Sequence, residues 1–193
     1  MKTLWLVPLA LALLAAVATP ILAHPVPSAD NSVSSEYKSA LIADVNDMAE
    51  KFVDLAQAFP ADKYTWRPGE GVRSVSELFL HISGGAFNLP QNWGAAPPAN
   101  FTVKGYEQST TDKAKIIEQL NQSFVYLKAA LQNISDADLA RQVKLYGRDS
   151  TGLGVAYHLT NDMHEHLGQA IAYARVNAIV PPWTAERLKQ QAH

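Results

Sequence analysis

Cysteine is absent from the 193-residue sequence. The protein therefore has no disulfide, no thiol nucleophile and no thiolate ligand, and any bound metal must be held by nitrogen and oxygen donors. An excess of basic residues is also lacking, because 16 Lys and Arg stand against 18 Asp and Glu, giving a net charge of −2. Without a basic stripe, nucleic acid and anionic membrane surfaces are not expected partners.

The sequence has one long apolar run, and it lies at the amino terminus. Lys2 precedes an apolar stretch, residues 4–17, and Ala23 supplies a small residue before a cleavage point. This pattern is typical of a secretory signal peptide, so we predict cleavage after Ala23. The alternative is a membrane anchor, because the run with its flank is roughly as long as the 20 residues that span a bilayer, but Pro8 and Pro20 interrupt it.

The predicted signal peptide, residues 1–23, indicates an exported protein, periplasmic or extracellular. Residues 24–34 contain prolines and small polar residues, which favours a flexible leader. The remaining chain offers no second apolar stretch long enough to cross a bilayer, so no stable membrane span is expected after cleavage. Its length suits one domain with one sizeable core.

Apolar residues at three- and four-residue steps predict four long amphipathic helices. The predicted helices run from about Ser35 to Phe59, from Ser74 to Asn88, from Asp112 to Asn133 and from Ser150 to Asn177. Ser74 and Glu77 have the spacing of a capping box at the start of the second helix. No alternating strand pattern competes, so we predict an all-α four-helix bundle over residues 35–183, followed by a short helix or tail at 184–193.

The segment NDMHEHLGQ in the fourth helix contains two histidines, an aspartate and a glutamate. At about 100° per residue, His164 and His166 point about 200° apart and cannot share one small site. Asp162 and His166 are four residues apart and share a face at one border of the apolar arc. His164 lies at the other border, and Glu165 and His158 fall on the polar side. The usable pair is Asp162 with His166, although such pairs are also common as solvated ion pairs.

A third ligand would distinguish a metal site from a plain ion pair, since zinc-type catalytic sites often use three protein ligands and keep a position for water. His81, midway along the second helix and close to its apolar stripe, is the best candidate. Gly84 and Gly85 follow one turn later, and a glycine inside a helix costs roughly 1 kcal/mol relative to alanine. The glycines favour close approach of another helix or a ligand, and the alternative is a kink or fraying of the helix near Pro90. For His81 the alternative is a satisfied core histidine.

Other polar and aromatic residues leave two interpretations open. Glu77, one turn before His81, is either a general base or simply the partner that completes the helix cap. Trp66, Trp93 and Tyr106 either line the mouth of a pocket or pack the long loop against the bundle.

Two segments of the chain resemble the DinB/YfiT-like superfamily. YTWRPGEGVRSVSELFLHI, residues 64–82, is similar to the family's W-x-P…S-x-x-E/D-x-x-x-H-I segment. DMHEHLGQAIAYARVNAIVPP, residues 162–182, is similar to its closing H-x-G-Q…Y/L-x-R-x-x-G-I/V-x-P-P segment. The resemblance extends over about residues 35–182 and implies a four-helix bundle, in agreement with the helical pattern.

The resemblance also implies one divalent metal, held by a histidine of the second helix and by two histidines at i and i+4 in the last. Carried onto this sequence, those positions are His81, Asp162 and His166. Aspartate stands where the family has histidine, and the resulting two-His-one-carboxylate set suits zinc, nickel or a similar cation. Asn161 and Gln169 are candidates for contacts that orient these ligands.

The activities that the resemblance implies are thiol-dependent transfer, isomerisation and amidohydrolase-like hydrolysis of a small-molecule substrate. Because the chain has no thiol, a thiol would have to arrive as cosubstrate, and low-molecular-weight thiols are mainly cytoplasmic. Predicted export therefore favours either a metal-activated water or the absence of catalysis. The alternative is a non-catalytic exported bundle that binds a metal or a small ligand, or that has lost the metal. Dimers are frequent among such bundles, so by analogy a homodimer is one candidate assembly.

Overall fold

The computed structural model describes residues 31–192, with the side chains of residues 35–192. The predicted signal peptide and residues 24–30 of the predicted leader lie outside the described residues. The elements within the described part are α1 (Asn31–Ala58), α2 (Val75–Asn88), α3 (Lys113–Asn133), α4 (Asp136–Ala140), β1 (Gln142–Leu145), β2 (Arg148–Thr151), α5 (Gly152–Val176) and α6 (Pro182–Gln191).

Helices α1, α2, α3 and α5 are the four predicted helices, and they form a bundle. Helix α1 packs against α3 and α5, and α2 packs against the same two helices from the other side. Their apolar faces meet in one core, whose largest fully buried side chains include Phe52, Phe59, Tyr64, Phe79, Leu120, Leu127 and Leu159. Each such side chain contributes about 1.5–3 kcal/mol through removal from water. Among the described helices, none is both long and apolar enough to cross a membrane.

The predicted start of α2 is confirmed by its cap. The Ser74 hydroxyl accepts a hydrogen bond from the Glu77 N–H, and the Glu77 carboxylate accepts one from the Ser74 N–H at 2.7 Å. Helix α1 begins at Asn31, four residues before the predicted start at Ser35. Helix α6 begins at Pro182, where proline suits the first turn because its missing N–H would have no partner there.

The prediction that the chain forms no strand is wrong for residues 142–151. Strands β1 and β2 pair antiparallel, with Leu145 opposite Arg148. The two-residue turn between them consists of Tyr146 and Gly147, both with positive φ, at 50° and 78°, as the twist of a tight hairpin requires. Strands of four residues are too short to show an alternating pattern, which explains the wrong prediction. The hairpin also delays the start of α5 to Gly152.

The long connection between α2 and α3 is seated on α2 by Tyr106. The Tyr106 hydroxyl lies 2.9 Å from the Ser83 hydroxyl. A Cβ atom on Gly84 would lie only 3.1 Å from the Tyr106 ring, so glycine at this position makes room for the loop. Two other aromatic residues also pack on the bundle: the Trp93 indole donates to the buried Gly152 carbonyl at 2.9 Å, and Trp66, in the connection between α1 and α2, packs edge-on against Tyr173.

Candidate metal centre

The structure brings together all three residues predicted as metal ligands. His81 lies on α2, and Asp162 and His166 lie one turn apart on α5. One potential ligand atom of each residue lies within 4.8 Å of the others. The imidazole centroids of His81 and His166 are 4.5 Å apart, and His166 Nε2 is 3.4 Å from Asp162 Oδ1. His166 is buried and the other two are partly buried, so the cluster is set into the bundle.

His81 is held from outside the cluster by Glu107. Its Nδ1 lies 2.7 Å from Oε1 of Glu107, which belongs to the short 3-10 turn Tyr106–Gln108 that begins with the seated Tyr106. Arg73 donates to the same carboxylate from Nε at 2.8 Å and from Nη2 at 3.2 Å. This fork-like pair fixes the carboxylate, and the hydrogen bond to Nδ1 leaves Nε2 of His81 available to a cation.

His166 is held in the same way by Gln169, as predicted. Its Nδ1 lies 2.9 Å from Gln169 Oε1, and Gln169 Nε2 donates to the Tyr173 hydroxyl at 2.8 Å. That hydroxyl in turn donates to the Arg73 carbonyl at 3.0 Å. A continuous frame, made of Glu107, Arg73, Tyr173 and Gln169, therefore joins the outer nitrogens of the two histidines. Asn161, the other predicted orienting residue, is exposed.

The charges of the site stabilise one another. Burial alone would raise the pKa of Asp162, but the hydrogen bond with His166 and the charges of His166, His81 and His158 outweigh it, and the pKa is lowered. Burial would lower the pKa of His166, but hydrogen bonds with Asp162 and Gln169 raise it. The pKa of Glu107 is lowered in spite of its burial, because Arg73 and His81 donate to it. Both carboxylates are therefore ionised at neutral pH.

His164 and Glu165 lie outside the centre, as the helical geometry predicted. Both are exposed, and His164 Nε2 lies 3.0 Å from Asp44 on α1. The placement of His158 on the polar side is wrong. Its side chain is half-buried, and its ring contacts the Tyr146 ring with centroids 5.3 Å apart. His158, Asp162 and His166 follow one another at four-residue steps, which align them along one face of α5.

Glu77 completes the cap of α2 and is not positioned as a base of this site. Its carboxylate accepts from the Ser74 N–H and forms an ion pair with Arg67 at 3.1 Å. The Ser74 N–H, together with the Ser74 side chain and Arg67, lowers the pKa of Glu77. A carboxylate engaged by these donors is a poor proton acceptor.

Glu107 and Arg73 were missed by sequence reasoning. Arg73 directly precedes the cap of α2, and Glu107 lies in a long loop with no periodic pattern. The contact between Arg73 and Glu107 depends on where the loop packs against α2, and the spacing of residues along the sequence does not predict that position. Tyr173 could have been found, because it lies on the His166 side of α5 two turns further along.

The residues present fit a divalent cation. Two imidazoles and one carboxylate supply the nitrogen and oxygen donors that such an ion accepts in a protein without cysteine. Each histidine engages its other ring nitrogen with an oxygen acceptor, the arrangement usual for metal-bound imidazole. The ligand atoms lie close enough for modest side-chain rotation to bring them onto one ion.

Comparison with known proteins identifies similar sequences and folds. A sequence model described as the DinB superfamily matches residues 45–170. A DinB-like protein from Bacillus subtilis has 19% identity, covers 73% of this chain and 93% of its own, and superposes with a TM-score of 0.59. A DinB-like protein from Bacillus cereus has 16% identity, covers 70% of this chain and 89% of its own, and superposes with a TM-score of 0.61. No curated protein matches the sequence significantly.

A third similar structure is the mycothiol-dependent maleylpyruvate isomerase. It has 11% identity, the match covers 67% of this chain and 59% of the isomerase, and the TM-score is 0.57. At identities this low, the similarity to the three solved structures establishes a shared fold.

Proposed function

Because the chain belongs to the DinB superfamily, we propose that it is a metal-dependent enzyme that acts on a small molecule. His81, Asp162 and His166 would hold one divalent cation. The observation that carries the proposal is the convergence of their ligand atoms within 4.8 Å, combined with an oxygen acceptor on the outer nitrogen of each histidine. A plain ion pair on a helix surface would need neither the third residue nor the frame behind it.

Zinc or a similar cation, such as nickel, suits this donor set. Two imidazole nitrogens and one carboxylate oxygen make a three-ligand set of the kind that catalytic zinc sites use, with one position left for water or substrate. The aspartate in place of the family's histidine lowers the net charge of the loaded site by one. When bound, the cation would lower the pKa of a water or thiol and supply a nucleophile near neutral pH.

The chain's own residues would position that chemistry. Glu107 fixes the ring of His81, and Gln169 fixes the ring of His166. The Asp162 carboxylate is ionised because its pKa is lowered. It contributes negative charge and can accept a hydrogen bond from a bound ligand. These residues bind and orient, and none of them is a covalent nucleophile.

Hydrolysis with an activated water is the first candidate reaction, because predicted export removes the protein from the cytoplasmic thiol pool. The second candidate is a thiol-dependent transfer or isomerisation. It is supported by the shared fold with the mycothiol-dependent maleylpyruvate isomerase, a protein whose name states its use of a thiol. Metal binding without turnover would favour the remaining alternative, a non-catalytic metal-binding bundle.

Metal content tests the proposal most directly. The protein purified without a histidine tag should contain one divalent cation per chain by elemental analysis. His81→Ala and Asp162→Ala should lose it, because each removes a ligand, whereas His164→Ala should retain it. Absence of metal, together with unchanged thermal stability in both ligand variants, contradicts the proposal. Asp162→His should bind at least as tightly, since it restores the family's three histidines.

Export is a separate proposal with its own test. Expressed with its native amino terminus in a bacterium, the protein should appear outside the cytoplasm with His24 as its first residue. Intact mass and amino-terminal sequencing of the secreted fraction measure both. A full-length chain that stays with the membrane fraction supports the anchor instead.

A further inference from the structure

The candidate metal centre has two different sides along the groove between α2 and α5. The two helices run antiparallel: Trp93, just after α2, donates to Gly152 at the start of α5, and Tyr173 near the end of α5 donates to Arg73 just before α2. The frame of Glu107, Arg73, Tyr173 and Gln169 closes the side towards the start of α2. The other side therefore faces the residues one turn after His81 and one turn before Asp162.

On α2, the residue one turn after His81 is Gly85. A Cβ atom placed on Gly85 would meet no atom of the described residues within 4 Å, so the space beside α2 is open at this point. Gly84 differs, because the Tyr106 ring fills the space above it. Gly85 has no packing reason to be glycine, although glycine inside a helix costs about 1 kcal/mol relative to alanine. Free space for a ligand would explain a glycine at this position.

On α5, the residue one turn before Asp162 is His158. Its Nε2 is buried and has no hydrogen-bond partner among the described residues. A buried polar atom without a partner costs about 1–3 kcal/mol, so such atoms in native proteins call for an explanation. A ligand that enters beside Gly85 would supply the partner.

Tyr146 covers His158 from the tip of the β1–β2 hairpin. The two rings meet edge to face at 5.3 Å, while the Tyr146 side chain as a whole is 74% exposed. Its φ of 50° is a backbone conformation that non-glycine residues rarely adopt. Partial burial, followed by the negative charge of Asp162, raises the pKa of the Tyr146 phenol, so the hydroxyl remains a hydrogen-bond donor at neutral pH. Because its ring contacts His158, one turn before Asp162, Tyr146 lies at the rim of the centre.

A cleft of about 320 Å³ lies between Tyr146 and the end of α2. Its polar lining consists of Asn88, Gln91, Asn92, Lys144 and Tyr146. Among the described residues, Lys144 pairs with Asp149. Both side chains are mostly exposed, so this ion pair contributes little and can be exchanged for another anion. The lining offers ammonium, amide and phenol donors, a set that suits an oxygen anion.

We propose that the space bounded by Gly85, His158 and Tyr146, with the cleft behind it, is the substrate-binding site and that it takes a small carboxylate. The Tyr146 hydroxyl and the Nε2–H tautomer of His158 donate to the carboxylate, Lys144 provides the positive charge, and Gly85 provides the room. The assignment of this space as a substrate site rests on the proposed metal-dependent function. Binding of the carboxylate, however, uses residues that are not metal ligands. The two can therefore fail separately.

Calorimetric titration with succinate tests the site on the whole protein, loaded with zinc and, in parallel, freed of metal. Gly85→Leu should reduce succinate affinity more than 30-fold, because the new side chain fills the open space. Tyr146→Phe should weaken it about tenfold, as expected for one lost hydrogen bond to a charged acceptor. Neither variant should change zinc affinity, which separates a binding role from damage to the centre.

Gly168→Leu is the matched control. Gly168 is also a helical glycine, and no atom of the described residues lies within 4 Å of an added Cβ, but Gly168 is exposed on α5. Both leucine variants should fold with undiminished thermal stability, since leucine favours helix over glycine, and Gly168→Leu should bind succinate like the parent protein. The uncharged analogue succinamide should bind at least tenfold more weakly than succinate, because a carboxylate is what the donors recognise.

The outcomes separate the two proposals. Zinc binding without succinate binding, or succinate binding that Gly85→Leu and Tyr146→Phe leave unchanged, overturns the carboxylate site. Succinate binding that depends on Gly85, in a protein that binds no zinc, refutes the metal centre and supports the site. A protein that binds neither refutes both.

Discussion

The two sides of the candidate metal centre differ in how their polar groups are used. On the closed side, the outer nitrogens of His81 and His166 meet Glu107 and Gln169, and both of these side chains are held in turn. On the open side, Gly85 contributes no side chain, and Nε2 of His158 meets no partner among the described residues.

The closed side therefore fixes the metal ligands, whereas the open side is available to a substrate. A frame of mutually bonded groups fixes ligands in one orientation, because each member would lose a buried hydrogen bond by moving. Groups left without partners do not stabilise the fold and are kept for another reason, which a small ligand supplies. The comparison predicts that changes on the closed side alter metal affinity and that changes on the open side alter substrate affinity alone.

Among the residues that are not metal ligands, the largest effect is expected from Glu107→Ala. It removes the acceptor that orients His81 and leaves the Arg73 guanidinium without its paired carboxylate. Zinc affinity should fall about 10–100-fold, the usual cost of losing a group that orients a metal ligand. Glu118→Ala, which removes an exposed carboxylate of α3, is the control and should have no effect. Competition with a chromophoric chelator measures both, and parental affinity in Glu107→Ala contradicts the orienting role.

The next effect is the dependence of zinc affinity on pH. The pKa of His166 is raised above its ordinary value of about 6.5, because hydrogen bonds with Asp162 and Gln169 outweigh burial. A cation needs the neutral imidazole, so zinc affinity should fall about tenfold per pH unit once the pH drops below that raised pKa. Asp162 stays ionised over this range because its pKa is lowered.

The metal-free protein should show the opposite trend. A raised pKa in the folded state means that protonation of His166 stabilises the fold below about pH 6.5 and that this contribution is lost as the pH rises through the raised pKa. Melting curves of the metal-free and zinc-loaded proteins between pH 5.5 and 8.5 measure both trends. A zinc-dependent increase in Tm that is constant across this range would show that His166 is not a ligand.

A smaller effect is expected from Tyr173→Phe. The hydroxyl accepts from Gln169 and donates to the Arg73 carbonyl, so its loss breaks the frame at one point. The free energy of unfolding should fall by about 1–2 kcal/mol, and zinc affinity should fall only a few-fold because Gln169 still reaches His166. Tyr157→Phe, on the exposed face of α5, is the matched control. Equal stability of the two variants would contradict the frame.

The smallest effect is expected from His164→Ala. Its pair with Asp44 is exposed, and exposed ion pairs contribute about 0–1 kcal/mol. Zinc affinity should not change, whereas His166→Ala, two residues further along α5, should lose the metal. Loss of metal in His164→Ala would mean that the centre extends to the surface pair and that helical geometry has separated the two histidines wrongly.

The ligands were predictable because their positions follow from local rules. The Ser74 cap sets the start of α2, and a four-residue step links Asp162 to His166, while the family resemblance adds His81. Glu107 was not predictable, because only the seating of Tyr106 on Gly84 brings it to His81.

The residues of the open side were missed for different reasons. The four-residue rule that selected Asp162 and His166 also reaches back to His158, so this residue could have been recognised from the sequence. The hairpin that carries Tyr146 gives no periodic signal, because each strand has only four residues. Short elements whose residues contact distant helices are therefore the part that sequence periodicity does not reveal.

The docking of Tyr106 on Gly84 has a consequence for folding kinetics. Glu107 meets His81 across 26 positions, and Tyr173 meets Arg73 across 100, so the frame depends on contacts that close large loops and is expected to form late in folding. A cation that recognises only the completed frame would leave the refolding rate unchanged and slow unfolding, because it stabilises interactions absent from the transition state. Bound metal would then act mainly by prolonging the lifetime of the native protein.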